Sequence, residues 1–194
     1  MIAGLVLAAG ESSRMGRDKA LLTYQRQTFL ESIIGKLRAA GIERVAVVLG
    51  HHAEEIRRAV NLQGVEVIVN QEYHRGQTSS LQAGLRSLEG MKPEAVVLCL
   101  VDHPAFSPPT VRELIEAFER GHPQAAIPTF QGKRGHPVLL GREIIGELLA
   151  LPADRGANTV MRQHHDTTMF IEVDGPGILL DVDDPQTYQD LEST

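Results

Sequence analysis

Residues 2–9, Ile-Ala-Gly-Leu-Val-Leu-Ala-Ala, form an almost unbroken apolar run. It has strand length and lacks the polar alternation of a half-solvated strand, so it predicts a strand covered on both faces within a parallel sheet. Thr28-Phe29-Leu30-Glu31 then has the form of a capping box, followed by Ile33, Ile34 and Leu37 on one helical face and by Gly41 where the helix should end. Residues 45–49 read as a strand, 53–61 as a helix and 65–69 as a third strand. A second helix-start signal, Ser79-Ser80-Leu81-Gln82, precedes Leu85 and Leu88 at helical spacing and then Gly90. The apolar run 95–101 predicts strand four. Ser107-Pro108-Pro109-Thr110 sets prolines where a helix can begin, with Leu114, Ile115 and Phe118 as its buried face before Gly121. Beyond this the pattern is less regular, with short strands expected at 125–128, 137–140, 169–173 and 177–182 and helices near 142–151, 157–164 and 185–191.

Alternating strands and helices predict an α/β fold: a doubly wound, mostly parallel sheet with helices on both faces, Rossmann-like in plan. In such folds ligands bind beyond the carboxyl ends of the strands. If the first four strands are ordered 3-2-1-4, the loop after strand one and the corner after strand four flank one crevice and share one site.

The 194 residues suit a single domain spanning 1–194, and no repeat, linker or low-complexity tract is visible. Nineteen Lys and Arg against 25 Asp and Glu leave a net charge of −6, which argues against a broad footprint for nucleic acid or an anionic membrane. Any phosphate must therefore be held locally. The longest apolar runs fall well short of the roughly 18 residues a membrane span needs, and the first residues lack the basic segment of a signal peptide. The single Cys99 allows no intramolecular disulfide, and a cytoplasmic location is expected.

Two places just after strands carry unusual chemistry. The first is Leu7-Ala8-Ala9-Gly10-Glu11-Ser12-Ser13-Arg14-Met15-Gly16-Arg17-Asp18-Lys19, where backbone N–H groups could line a phosphate and Arg14 and Lys19 could neutralise it. Its spacing is neither a Walker A sequence nor GxGxxG, and on glycine content alone an ordinary turn with solvated charges is the simpler account. The second is Val101-Asp102-His103-Pro104. Asp102, at the end of an apolar strand, suits Mg²⁺ coordination, and serves equally as an Asx turn or cap before Pro104. Asp181 and Asp183, two residues apart, would share a face if a strand ends there, whereas Asp184 reads as the cap of the helix beginning at Pro185. The eight histidines include the adjacent pairs His51-His52 and His164-His165, which lack the spacing of helical metal ligands.

The first loop resembles the LAAGxSxRMGxxK signature of the MobA-like nucleotidyltransferases at every specified position. The likeness continues in Gly76-Gln77-Thr78-Ser79-Ser80-Leu81, similar to the family's G-x-x-S-S-L, in the DxP corner at Asp102, in Arg134-Gly135-His136-Pro137-Val138-Leu139, and in Asp181-Val182-Asp183-Asp184-Pro185, similar to DIDTP. It is strongest toward the molybdenum cofactor cytidylyltransferase branch. The resemblance implies Mg²⁺-dependent transfer of CMP from CTP to the terminal phosphate of molybdopterin cofactor, with release of pyrophosphate and delivery to a client molybdoenzyme. It further implies that Leu7, Ala8, Ala9, Gly10, Arg14, Lys19, Gly76 and Ser80 bind nucleotide, and that Arg14, Lys19 and Asp102 are catalytic. Asp102 with Asp183 or Asp181 would hold the metal, the D-T-P-like triplet favouring Asp183, while His103 and His136 would face the acceptor. His103 stands where the family often has Met or Gln, and Ala153-Asp154-Arg155-Gly156-Ala157-Asn158 matches GDxGAR only in part. Ala9-Gly10-Glu11 lacks the extra glycine of the guanylyl branch, which points to CTP. Another phosphorylated acceptor, such as a sugar or polyol phosphate, and a non-catalytic carrier of nucleotide or cofactor remain as alternatives.

Overall fold

The computed structural model describes residues 1–11, 15–152 and 155–192. Strand β1 (Ile2–Ala8) leads through the first loop to a small hairpin, β2 (Thr23–Tyr24) and β3 (Gln27–Thr28), and into α1 (Phe29–Ala39). Then follow β4 (Val45–Leu49), α2 (Ala53–Ala59), β5 (Glu66–Val69), α3 (Gln77–Leu88), β6 (Ala95–Leu100) and α4 (Pro108–Gly121). The remainder comprises β7 (Ala125–Phe130), β8 (Lys133–Arg134), β9 (Val138–Gly141), α5 (Arg142–Ala150), α6 (Asn158–Gln163), β10 (Thr168–Glu172) and α7 (Pro185–Glu192).

One sheet runs β10-β7-β9-β6-β1-β4-β5, with β8 paired to β7. Its β5-β4-β1-β6 half is parallel and has the expected 3-2-1-4 order. β9 is antiparallel to both β6 and β7, so the sheet is mixed beyond β6. Alternation along β1 separates the two cores. Val6 and Ala8 pack with Leu30, Ile33 and Leu37 of α1 and Leu114 of α4, whereas Leu5 and Leu7 pack with Leu81 and Leu85 of α3 and Leu148 of α5. With both faces covered, β1 must be apolar throughout, which is why its sequence shows no alternation.

Thr28 caps α1 as its sequence predicts: its hydroxyl accepts from Glu31 N at 3.2 Å while the Glu31 carboxylate accepts from Thr28 N at 3.1 Å. α3 departs from expectation, beginning at Gln77 and not at the serines. Gly76, at φ +99°, makes the turn into α3. Ser79 lies inside the first helical turn, its hydroxyl donating to Gly76 O and Glu72 O at 2.8 and 3.0 Å. Residues 177–182 also depart. Pro176–Leu179 is a 3-10 turn, and the segment's backbone bonds to loops: His136 N donates to Ile178 O, and Val182 N donates to Asp102 O, both at 2.9 Å. No helix among the described residues is long and apolar enough to cross a membrane.

Candidate active site

The carboxyl ends of β1 and β6 open onto a cleft of about 420 Å³, lined by Leu7, Ala8, Ala9 and Gly10, by Gly76 and Ser80 at the start of α3, and by Lys19, Asp102 and Asp183. Lys19 and Asp102, 83 positions apart, meet here because the strand order makes β1 and β6 neighbours. Val101 N donates to Leu7 O at 3.1 Å and closes the floor between the two corners.

Lys19 opens the 3-10 turn Lys19–Leu21, whose cap is Asp18: the Asp18 carboxylate accepts from Ala20 N at 2.9 Å, and its other oxygen lies 3.1 Å from His52 Nδ1. Asp18 is 5% exposed. The turn thus fixes the root of Lys19, whose ammonium pairs with Asp183 and stands 3.3 Å from Asp102 Oδ2. Burial alone would depress this ammonium's pKa, but the hydrogen bond to Asp183 and the Asp102 charge together raise it. Lys19 is therefore a fixed cation at the cleft wall. Arg14 lies outside the described residues, as do Ala153 and Asp154 of the GDxGAR-like segment.

The C-terminal segment reaches the site because it is tied to the Asp102 corner. Besides the Val182–Asp102 bond, Gly177 passes so close that a Cβ there would lie 2.1 Å from Ala105 O. This arrangement delivers Asp181 and Asp183 on either side of Val182. Asp183 takes the Lys19 ammonium, whereas ligand atoms of Asp102, His103 and Asp181 lie within 4.8 Å of one another. Partial burial and the neighbouring Asp102 charge raise the Asp181 pKa. The His103 ring packs on His136 with centroids 4.8 Å apart. Burial first, then the His103 charge, push His136 down to about 4, so its imidazole is neutral at pH 7.

Asp102 Oδ1, His103 Nδ1 and His136 Nδ1 are enclosed without a hydrogen-bond partner among the described residues. An enclosed carboxylate oxygen without a donor is costly unless a cation takes it. Asp102, Asp181 and Asp183 supply the oxygen donors that a divalent metal requires, so the residues present fit such an ion.

Sequence reasoning passed over three supporting residues. Asp18 carried a signal in its place before the Lys-Ala-Leu turn. Asn70, 8% exposed, donates to Ser79 Oγ and Ser80 Oγ at 3.0 Å each and holds the first turn of α3 against the cleft. Lys36 reaches from α1 beneath the Asp102 corner and donates to Pro104 O, its ammonium 5.2 Å from the Tyr24 ring and 5.4 Å from that of Phe106. Burial lowers its pKa to about 8. Both Asn70 and Lys36 act across contacts that no local pattern reports.

A second cavity of about 580 Å³ shares Leu7, Gln77 and Leu100 with the first and extends toward His136, Arg134, Arg162 and Phe170. The Arg134 guanidinium lies over the Phe170 ring at 4.4 Å. The two cavities thus meet at the carboxyl end of β1.

The family described as MobA-like NTP transferase domain matches residues 4–168. Among characterised proteins, the chain is 30% identical to nicotine blue oxidoreductase of Paenarthrobacter nicotinovorans, over 84% of this chain and 82% of that one. It is 26% identical to molybdenum cofactor cytidylyltransferase of Escherichia coli K12, over 95% and 92% of the two chains. The crystal structure of Rv0371c from Mycobacterium tuberculosis H37Rv superposes with a TM-score of 0.88 at 32% identity, covering 100% of this chain and 97% of that one. The same protein in complex with manganese gives 0.84 at 30%, with 100% and 98% covered. With the family match running from β1 into β10, and with relatives aligned over nearly their whole lengths, the chain belongs to the MobA-like NTP transferase family of nucleotidyltransferases.

Proposed function

We propose that the protein is a divalent-metal-dependent cytidylyltransferase that joins CMP from CTP to the terminal phosphate of a molybdopterin-type cofactor and releases pyrophosphate. One observation carries the reading: a lysine fixed between two carboxylates at the mouth of a cleft floored by the backbone of Leu7, Ala8, Ala9 and Gly10. That combination matches the needs of a triphosphate bound with a metal ion, and it has no evident use in a passive carrier. The 26% identity with the Escherichia coli cytidylyltransferase over nearly both chains supports the choice of nucleotide and acceptor.

In this reading an oxygen of the acceptor phosphate attacks the α-phosphorus of CTP, the bond to the β-phosphate bridging oxygen breaks, and pyrophosphate leaves with that electron pair. The acceptor monoester, with a second pKa of about 6, is already mostly dianionic at neutral pH, so no side chain need remove a proton. A divalent metal, when bound, supplies charge neutralisation at the α-phosphate and the departing pyrophosphate, Mg²⁺ being the ion the sequence resemblance implies. Asp102, with Asp181 or Asp183, would hold it. The Lys19 ammonium turns to the triphosphate, and the N–H groups after β1 orient it. Gly76 and Ser80 flank the nucleoside. The second cavity receives the acceptor, with His136 on its wall and Arg134 and Arg162 suited to an anionic ring system. Holding the two phosphates in line then does most of the catalytic work.

The test is a pyrophosphate-release screen of purified protein over four nucleoside triphosphates, with and without molybdopterin-type acceptor and with phosphorylated sugars and polyols. Release that requires CTP and the pterin supports the proposal. Preference for GTP, or for a sugar or polyol phosphate, would redirect the substrate and spare the reaction, while nucleotide binding without release in any combination would sink it.

A further inference from the structure

The DxP corner of this chain carries a histidine, and the structure turns it toward the carboxylates. His103 Nε2 lies 4.0 Å from Asp102 Oδ1, too far for a hydrogen bond, and one ligand atom each from Asp102, His103 and Asp181 falls within 4.8 Å of the others. Two donors bound about 2.1 Å from one ion stand about 3.0 Å apart at a right angle and about 3.4 Å apart at the tetrahedral angle. Closure by at most about 1.4–1.8 Å therefore brings these three onto a common ion. Asp102 Oδ1, the oxygen 4.0 Å from His103 Nε2, is enclosed with no hydrogen-bond partner among the described residues, and the His136 ring backs His103. A purely structural cluster would satisfy that oxygen. The His103 side chain is 13% exposed, so its imidazole is not free to turn to solvent.

We propose that His103 supplies an imidazole nitrogen to the metal centre it forms with Asp102 and Asp181, making a mixed nitrogen–oxygen site that prefers a first-row transition-metal ion to Mg²⁺. Mg²⁺ favours oxygen donors and retained water, whereas Mn²⁺, Fe²⁺, Co²⁺ and Zn²⁺ accept imidazole and gain affinity from it along that series. His136 acts as a positioning residue, packing the His103 ring edge toward the carboxylates. Asp183 stays outside the set, paired with Lys19. The inference concerns the metal of the proposed transferase and rests on that reading for its purpose. Its test reads the metal alone, so either can fail without the other.

The experiment uses Mn²⁺ as probe, added at one equivalent to the tag-free, nucleotide-free protein. Pulsed electron paramagnetic resonance should show the ¹⁴N coupling of one directly bound imidazole, replaced by ¹⁵N coupling when the protein is grown on ¹⁵N-histidine. His103→Gln should abolish that coupling and reduce the preference for Mn²⁺ over Mg²⁺, measured by competition, by about tenfold or more. Asp183→Asn should keep the coupling. A bound Mn²⁺ without nitrogen coupling in the wild-type protein would overturn the inference, and that spectrum needs no variant to fold. Coupling that persists in folded His103→Gln, or no stoichiometric Mn²⁺ binding at all, would overturn it equally. Pyrophosphate release from CTP measured on the same samples reports separately on the transferase reading.

Discussion

Replacing Lys19 by alanine should move two observables in opposite directions. The Lys19 side chain is 11% exposed, and its ammonium balances Asp102 at 3.3 Å and Asp183 in a direct pair. In the nucleotide-free protein its positive charge opposes a divalent ion at the shared Asp102 carboxylate, so its loss should tighten metal binding. Two like unit charges about 4 Å apart repel by about 4 kcal/mol at an effective dielectric of about 20. Asp102 and Asp183 are 27% and 49% exposed, so solvent removes much of that, and a tightening of about tenfold is the expected remainder. With CTP present the sign reverses. The variant loses a charge-assisted contact to the triphosphate of about 1.5–3 kcal/mol, equivalent to a roughly ten- to hundredfold fall in kcat/KM. Lys19→Arg should recover part of it, since a planar fork replaces a compact point charge. Calorimetric titration with Mn²⁺ gives the first quantity and pyrophosphate release at low salt the second. Full kcat/KM together with unchanged metal affinity in Lys19→Ala would refute the assignment of this loop as the triphosphate cradle.

Asp181→Asn should chiefly raise the metal concentration needed for half-maximal activity, and Asp183→Asn should chiefly lower kcat by releasing Lys19; the opposite split, read from metal titrations of turnover, would exchange their roles. The Lys36 ammonium, with its pKa lowered to about 8, destabilises the fold fully below that pH, and the cost fades as pH rises toward the unfolded value of 10.5 because the unfolded chain then binds the extra proton. Urea midpoints of the wild type relative to Lys36→Met should therefore rise between about pH 7 and 10, and a flat difference would place this lysine in solvent. Thr28→Ala removes half of the α1 capping box and should cost about 1 kcal/mol, a fall in Tm of roughly 2–4 °C by differential scanning calorimetry.

The first half of the fold was legible because its strands are covered on both faces and its helices on one, which writes each element into the hydrophobic pattern. The 3-2-1-4 order then brought the loop after β1 to the Asp102 corner, as the pattern implied. Beyond β6 that legibility ends for a physical reason. β9 runs antiparallel between β6 and β7, and its four residues, Val138–Gly141, carry the same local pattern in either direction. Residues 177–182 look like a strand because Ile178, Leu179, Leu180 and Val182 are apolar. Ile178 and Leu179 join the larger core beside β7 and β8, and Leu180 and Val182 join the cluster of Phe29 and Leu22, without pairing as a strand. Spacing likewise put Asp181 and Asp183 on one face of a strand. The turn that replaces the strand sends Asp183 to Lys19 and Asp181 toward His103, a division that residue type and spacing do not contain.

The charge arrangement makes metal and nucleotide depend on one another. Asp102 and Asp183 pair with Lys19, and Asp181 lies beside Asp102, in a chain whose net charge is −6, so a triphosphate approaching alone meets carboxylates that repel it. In the proposed reaction a divalent ion held by those carboxylates would neutralise the local charge and free Lys19 to turn to the phosphates. The triphosphate in turn completes the ion's oxygen shell, as Mg²⁺ and Mn²⁺ sites commonly require. Each ligand therefore raises the affinity of the other by the same factor. As the proposed nitrogen donor, His103 would enter this balance from one side only, strengthening the hold on the ion without adding negative charge. Relative to a third carboxylate at the same position, it lets the corner keep its metal while repelling the incoming nucleotide less.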